Sequence, residues 1–478
     1  MALRVGQSSC LRNRSGTSGP IHGTNAKGPP GRHRNSRRVK AALLRRLGVA
    51  DLTLITIGSI IGSGIFRNPA VVAQRAHQPA IILGCWIAGG LIGLVGAFVF
   101  AELAARRPVS GGIYGYLREA YHPVVAFLFG WTLLLIADTG GMAAAAVLFS
   151  GYLEPMTGLT FDARIVAVVV LTGIACINLL GVRQGGNWQN LLVVLKVGAL
   201  AGLIVAGLAA HPQLAAAAAS PPALGGTTLL GAIGVAMLPV LFAYNGFQGA
   251  TYVTAETVAP ERTIPRGLVL GMTLVVVVYV LVNVGCLRVL GAAGLAATKT
   301  PAADVMRAAI GPIGGRLIAI AIALSTLGLI STRMLVTPRI YYQMAADGTF
   351  FKQVAAIDPR THAPTLAICL EAGIAAIIAV SGTFEQIVNW VVAPEWLFVV
   401  LAAVAVFIFR KQDAGKPQPA TRVPGHPVTT FAFIAVLLGI FAAELSIYPL
   451  DTLYGALVFI AGVVVFYAWR RFGKPESV

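Results

Sequence analysis

The chain has 478 residues, 57% of them hydrophobic and 11% charged, a composition that excludes an ordinary soluble globular domain. Its net charge of +18 does not mark a nucleic-acid binder, because eleven of the 36 basic residues crowd into residues 1–47, where no Asp or Glu occurs.

That opening segment is rich in Gly, Ser and Pro ("SGTSGPIHGTNAKGPPG") and is expected to be a disordered basic tail. It lacks the apolar core of a secretory signal peptide, and its composition fits a cytoplasmic tail, an over-extended start of translation or an acid-free organelle-targeting leader. Apolar runs long enough to cross a bilayer then recur near 49–76, 79–104, 123–152, 163–181, 190–210, 228–257, 267–291, 314–343, 364–381, 384–409, 428–446 and 449–470. The gaps are short, so the expected fold is an all-α polytopic membrane protein of about 12 transmembrane helices. With the N-terminus inside, 17 Lys and Arg beyond the tail, Arg333 and Arg339 among them, fall on the cytoplasmic side and 7 on the outer side. Both termini are therefore expected in the cytoplasm. Cys85, Cys176, Cys286 and Cys369 lie in or at the ends of apolar runs, and no disulfide-linked partner subunit is expected.

The first run contains "GSIIGSGIF", Gly58 to Phe66. Gly58 and Gly62 alone would suit a close helix–helix contact. Ser59, Ser63 and Gly64 spread around the helix, which favours a break. Unwound backbone survives at membrane depth only where protein or a cavity satisfies it. A second interrupted run is "FAYNGFQGATYVTAE", Phe242 to Glu256. These are the first and sixth runs, corresponding members of two five-helix halves, a pattern that points to an inverted-repeat transporter with a site at the midplane. The expected units are residues 48–210, residues 228–409 and an appended pair at 428–471.

The electrostatics of such a break suit a dipolar solute. Helix N-termini attract anions and C-terminal carbonyls attract cations. A carboxylate and an ammonium can therefore be held a few ångströms apart, which is the outline of an α-amino acid.

"IGSIIGSGIF" followed by "NPA", "FAELAARRPVSGGIYGYLREAYHP" and "LFAYNGFQGATYVTAETVAPERTIPRG" resemble the first, second and sixth spans of the amino acid–polyamine–organocation superfamily. "VYVLVNVG" and "TPRIYYQMAADGTF" are similar to its L-type amino acid transporters and their bacterial relatives. The resemblance covers about residues 45–430 and implies a LeuT-like 5+5 inverted repeat with helices 1 and 6 broken. It implies that the substrate carboxylate meets the N–H groups of Ser63, Gly64 and Ile65. The amine would meet carbonyls of Ile60 and of Phe242, Ala243 or Asn245, with Phe242 closing over it from outside. Asn245 departs from a glycine common in the family, and Gly249 stands where some relatives carry a bulkier side chain, which would widen the pocket.

Lys196 lies in the fifth run with nothing polar beside it in sequence. Near a helix end it could snorkel. The resemblance instead implies a lysine replacing the sodium ion of coupled relatives, with Ser325 and Thr326 as neighbours. Burial would also let it carry a proton. Asp138 is an intramembrane acid and so a functional candidate, either a structural partner or a contact for a cationic substrate. Tyr279 and Asn283 share a helix face and either line the pocket or join helices. Glu102 and Glu256 are expected to pair with Arg106, Arg262 or Arg266.

The leading expectation is a sodium-independent plasma-membrane amino acid permease working by exchange or proton symport, with no cofactor and no chemistry on the substrate. The alternative is a polyamine or organic-cation carrier. A membrane-embedded hydrolase needs a nucleophile with its base, or a metal. All seven histidines lie in the tail or in connections, none at metal-ligand spacing. A channel gives no account of two matching broken helices.

Overall fold

The structure is a computed structural model that describes residues 45–210, 229–381, 393–447 and 449–472. The basic tail up to residue 44, expected to be disordered, lies outside the described residues, as do the first residues of the sixth and tenth apolar runs. The described chain is almost entirely helical. It contains no strand, only an isolated bridge between Leu47 and Thr257.

The helices in chain order are α1 Val49–Ile60, α2 Gly64–Ala76, α3 Pro79–Arg106, α4 Ile113–Ala120, α5 Pro123–Thr132, α6 Asp138–Thr157, α7 Ala163–Leu179, α8 Val182–Ala209 and α9 Leu229–Tyr244. They continue as α10 Pro260–Ala297, α11 Pro301–Ile310, α12 Pro312–Val336, α13 Pro338–Ala346, α14 Thr365–Ser381, α15 Ala393–Gln412, α16 Val428–Ile447 and α17 Pro449–Phe472. Pro79, Pro123, Pro260, Pro301, Pro312 and Pro338 each open a helix. At the first helical position the missing N–H costs no bond and the fixed φ suits the turn.

Among the described residues, six helical segments are long and apolar enough to cross a membrane, and the bent pair α1–α2 makes a seventh. The chain is thus a multi-pass membrane protein. Helices α7 and α14 are shorter apolar segments of 17 residues. The long α10 packs against α3, α1 and α8. Gly267 and Gly271 let it approach closely, since a Cβ at either would press on Leu52 or Thr56 of α1. Small residues at a helix contact replace the hydrophobic driving force that lipid removes.

One end of the bundle is closed by buried ion pairs. Arg339 donates to Glu256 at 3.0 Å, both side chains being almost fully buried. Glu256 was expected to pair with Arg262 or Arg266. The tertiary fold brings α13 against the segment after α9 instead, and Arg339 is the cation it delivers. Glu102 accepts from Arg106 at 2.8 Å, from Arg410 at 2.7 Å and from the Val423 N–H at 2.8 Å. Beside it, Asp413 binds Arg106 and Arg107. Hydrogen bonding from Arg107 foremost holds its carboxyl below the usual carboxylate range.

Candidate functional site

The first apolar run is broken where the glycines and serines stand. Helix α1 ends at Ile60, the chain bends by 47°, and α2 begins at Gly64. Ile61 N–H still bonds to Ile57 O at 2.8 Å, while Phe66 N–H takes Ser63 O at 3.2 Å. The N–H groups of Gly64 and Ile65 open α2 and have no intrahelical partner. Gly58 belongs to the other reading: a Cβ there would sit 2.5 Å from Thr332 Oγ1 and 2.9 Å from Val193 Cγ2. It is a close-contact glycine, and the break starts two residues beyond it.

The second break follows α9. Residues 245–248 form a turn, and a 3-10 helix runs from Gly249 to Glu256. Gly246 has φ +109° and lies so close to α1 that an added Cβ would overlap the Ser59 carbonyl. The left-handed region and the contact both require glycine. The two breaks therefore touch. Gly249 was expected to widen the pocket. It does not line the cavity, because Ser59 packs into the space its missing side chain leaves.

A cavity of about 700 Å³ lies beside both breaks. Ile60, Ser63, Gly64, Phe242, Ala243, Asn245 and Tyr279 line it. Ile65 is buried and does not line it. The cavity runs up to Arg67, Lys299 and Arg307 at the end of the bundle opposite the buried ion pairs. Phe242 is 44% exposed, so the aromatic expected to cover the site stands open. The Tyr279 hydroxyl donates to Ile60 O at 3.4 Å, and Asn245 N–H takes Phe242 O at 3.2 Å. Two of the carbonyls expected to receive an amine thus already have one donor each. A carbonyl oxygen keeps a second lone pair. Asn283 turns back to bond Tyr279 O at 2.8 Å. The pair four residues apart therefore divides, with Tyr279 at the cavity and Asn283 bracing its own helix.

Lys196 is completely buried, and its Nζ donates to Gly58 O at 3.1 Å and to Ile61 O at 2.7 Å. It does not snorkel. It sits on the negative end of α1, where the macrodipole favours a cation. Ser325 Oγ donates to Gly62 O at 3.2 Å, so α12 also holds the break. Thr326 bonds back to Ala323 O at 2.8 Å within its own helix.

Of the two roles open to Asp138, structural partner or contact for a cationic substrate, its geometry fits the first. Its carboxylate is ion-paired with Arg333 and does not line the cavity. A five-residue π-helical turn, Leu133–Ala137, precedes it. Such turns reset the phase of a helix and recur at functional sites. Arg333 was counted with the cytoplasmic loops. It is in fact on α12, lines the cavity, and keeps its side chain 22% exposed there. Glu395 of α15 also lines the cavity; its oxygens accept from Gln248 at 2.8 Å and Asn245 at 3.2 Å. Asn245 thus does two things, since its Oδ1 also caps the Gly246 N–H at 2.8 Å. Neither Arg333 nor Glu395 was singled out in the sequence. The signal was available, because an ionisable residue inside an apolar run is a functional candidate by default.

A family profile described as "Amino acid permease" matches residues 47–466. The serine/threonine exchanger SteT of Bacillus subtilis is 27% identical over 437 residues, covering 90% of this chain and 98% of that protein. The human b(0,+)-type amino acid transporter 1 is 29% identical over 444 residues, 91% of each chain. The human cystine/glutamate transporter is 27% identical over 455 residues, 94% of this chain and 88% of its own.

Proposed function

Since the chain belongs to the amino acid permease family, we propose that it carries amino acids across the plasma membrane as a secondary transporter, sodium-independent and working by exchange or with protons. The relatives are named as transporters and exchangers, and this chain is a transporter, not an enzyme. The observation that carries the reading is the pair of touching helix breaks beside a 700 Å³ cavity. There the open N–H groups of α2 and the carbonyls ending α1 and α9 offer partners for a carboxylate and an ammonium.

In this reading the chain crosses the membrane about twelve times, with both termini in the cytoplasm. Residues 48–210 and 228–409 form two inverted five-helix halves in the LeuT-like manner, and 428–471 is an appendage. Ser63, Gly64 and Ile65 receive the substrate carboxylate. Ile60, Phe242, Ala243 and Asn245 receive the amine, and Tyr279 borders them. The cavity then opens outward, and Glu256–Arg339 and the Glu102 cluster close the inner end. Lys196 stands as a fixed cation on the carbonyls that a sodium ion would otherwise occupy, with Ser325 and Thr326 beside it, and this supports sodium independence.

The test is uptake of labelled amino acids into proteoliposomes, with and without internal substrate and with an acid-outside gradient. Uptake that requires internal substrate means exchange; uptake driven by acid outside means proton symport. Flux of a polyamine with no movement of any amino acid would overturn the reading. Sodium-driven accumulation would overturn its ion dependence.

A further inference from the structure

Glu395 is the one carboxylate among the described residues that line the cavity. It is 8% exposed. Its two hydrogen bonds come from the neutral amides of Gln248 and Asn245. No ion pair of Glu395 occurs among the described residues. Arg333, which also lines the cavity, is paired with Asp138. With the buried Glu371 beside Asp138, three carboxyl groups, Asp138, Glu371 and Glu395, surround the one guanidinium of Arg333, and of these only Glu395 lines the cavity.

The two amides donate to separate oxygens of Glu395, which explains two acceptors at this place; it does not supply a countercharge, and a buried charge is costly unless it is paired. A carboxylate offers about four acceptor positions, and the amides occupy two. Glu395 lines the cavity. The lining also includes Ala137, Gly141, Ala144 and Ala145 of the segment around Asp138. That stretch is apolar and low, suited to a methylene stem. Arg67 and Lys299 at the opposite, open mouth are exposed, and water and salt screen their charge over such distances. Arg307 is paired with Asp304.

We propose that the substrate's side chain ends in a second positive charge and that Glu395 receives it, so that the transported class is a cationic α-amino acid. The inference rests on the amino acid transport reading and deepens it. The α-carboxylate and α-amine bind at the breaks, the stem lies along the alanine-lined wall, and the terminal ammonium supplies the countercharge that Glu395 lacks. Asp138, which the sequence suggested for this role, is already neutralised by Arg333.

The experiment compares lysine with norleucine, which has the same stem without the ammonium. Both are titrated by thermal shift on the purified full chain, with leucine, glutamate and putrescine as further probes. Lysine is expected to bind at least roughly tenfold more tightly than norleucine, in keeping with a charge-assisted hydrogen bond. Glu395→Gln, which keeps the side-chain shape and one of the two acceptor oxygens, should bring the two to within about twofold. Norleucine or glutamate binding as tightly as lysine to the unaltered protein would overturn the inference while leaving amino acid transport intact, and needs no variant that folds. Putrescine binding as tightly as lysine would keep the cation subsite and overturn the amino acid reading beneath it. Binding of none of the five would overturn both.

Discussion

The Lys196 ammonium stands 2.7 Å from the Ile61 carbonyl, joining α8 to the place where α1 unwinds. Its second bond, to Gly58 O at 3.1 Å, fixes the last turn of α1, so one side chain holds the geometry of the break. Lys196→Met should cut uptake at least tenfold and lower stability by about 1.5–3 kcal/mol, the range for a hydrogen bond to a charged group. Lys196→Arg should not rescue it, because Gly328 packs directly against the end of the lysine chain. Uptake and thermal unfolding in detergent read both effects. Unchanged uptake in Lys196→Met would reduce the residue to packing.

The two breaks should respond differently to added side chains. At Gly64 a Cβ would find nothing closer than Asn68 Nδ2 at 3.4 Å. Gly64→Val should therefore leave the protein folded in the membrane and abolish transport by filling the site. At Gly246 the positive φ and the Ser59 carbonyl both oppose a side chain. Gly246→Ala should lower stability by at least about 1–3 kcal/mol, the cost of holding a residue in a sparsely populated region. Membrane yield and melting temperature separate the two cases. A Gly64→Val protein with normal uptake would contradict the placement of the site.

At the closed end, Glu256 and Arg339 are almost fully buried and bonded to each other. Removing one partner strands the other charge. Arg339→Met should destabilise by about 3–5 kcal/mol, whereas replacing both partners with apolar residues should cost much less. Equal losses in the single and double variants would show that the pair has no coupling.

His426 lies outside the membrane spans, in the turn before α16, bonded through Nδ1 to Thr430 at 2.8 Å. Burial first, and the Arg410 charge next, push its pKa below the ordinary histidine value. Between the lowered value and the unfolded value of about 6.5 the unfolded chain binds more protons, so stability rises with pH there. Its contribution is fully present above about pH 6.5 and declines as the pH falls below. Melting temperature measured from pH 8 to pH 5 should drop on the acid side, and His426→Gln should flatten part of that drop. An identical profile in the variant would remove His426 as its source.

The breaks were legible because their cause is local. Gly62, Ser63 and Gly64 within one apolar run, and Asn245 and Gly246 within another, weaken a helix that lipid would otherwise force to stay bonded. A buried lysine with no polar sequence neighbour was legible for the same reason: membrane burial of a charge must have a partner. Arg333 and Glu395 were equally visible in principle, since both stand well inside apolar runs, but only the folded chain shows that they meet at one cavity.

Read linearly, the chain already declares that it lives in a bilayer, that two of its apolar segments are interrupted, and that the open main-chain groups of such interruptions suit a dipolar solute. Hydropathy and backbone hydrogen bonding act over one or two helical turns, so a linear reading captures them. Which charge meets which is set by the folded bundle alone. Asp138 pairs with Arg333 across 195 residues and Arg339 with Glu256 across 83. The bundle also sets Gly249 against Ser59 and away from the cavity, and leaves Glu395 on the cavity with no ion pair among the described residues. Coulomb and contact energies depend on distance in space, and in a folded helical bundle that distance bears no fixed relation to separation along the chain.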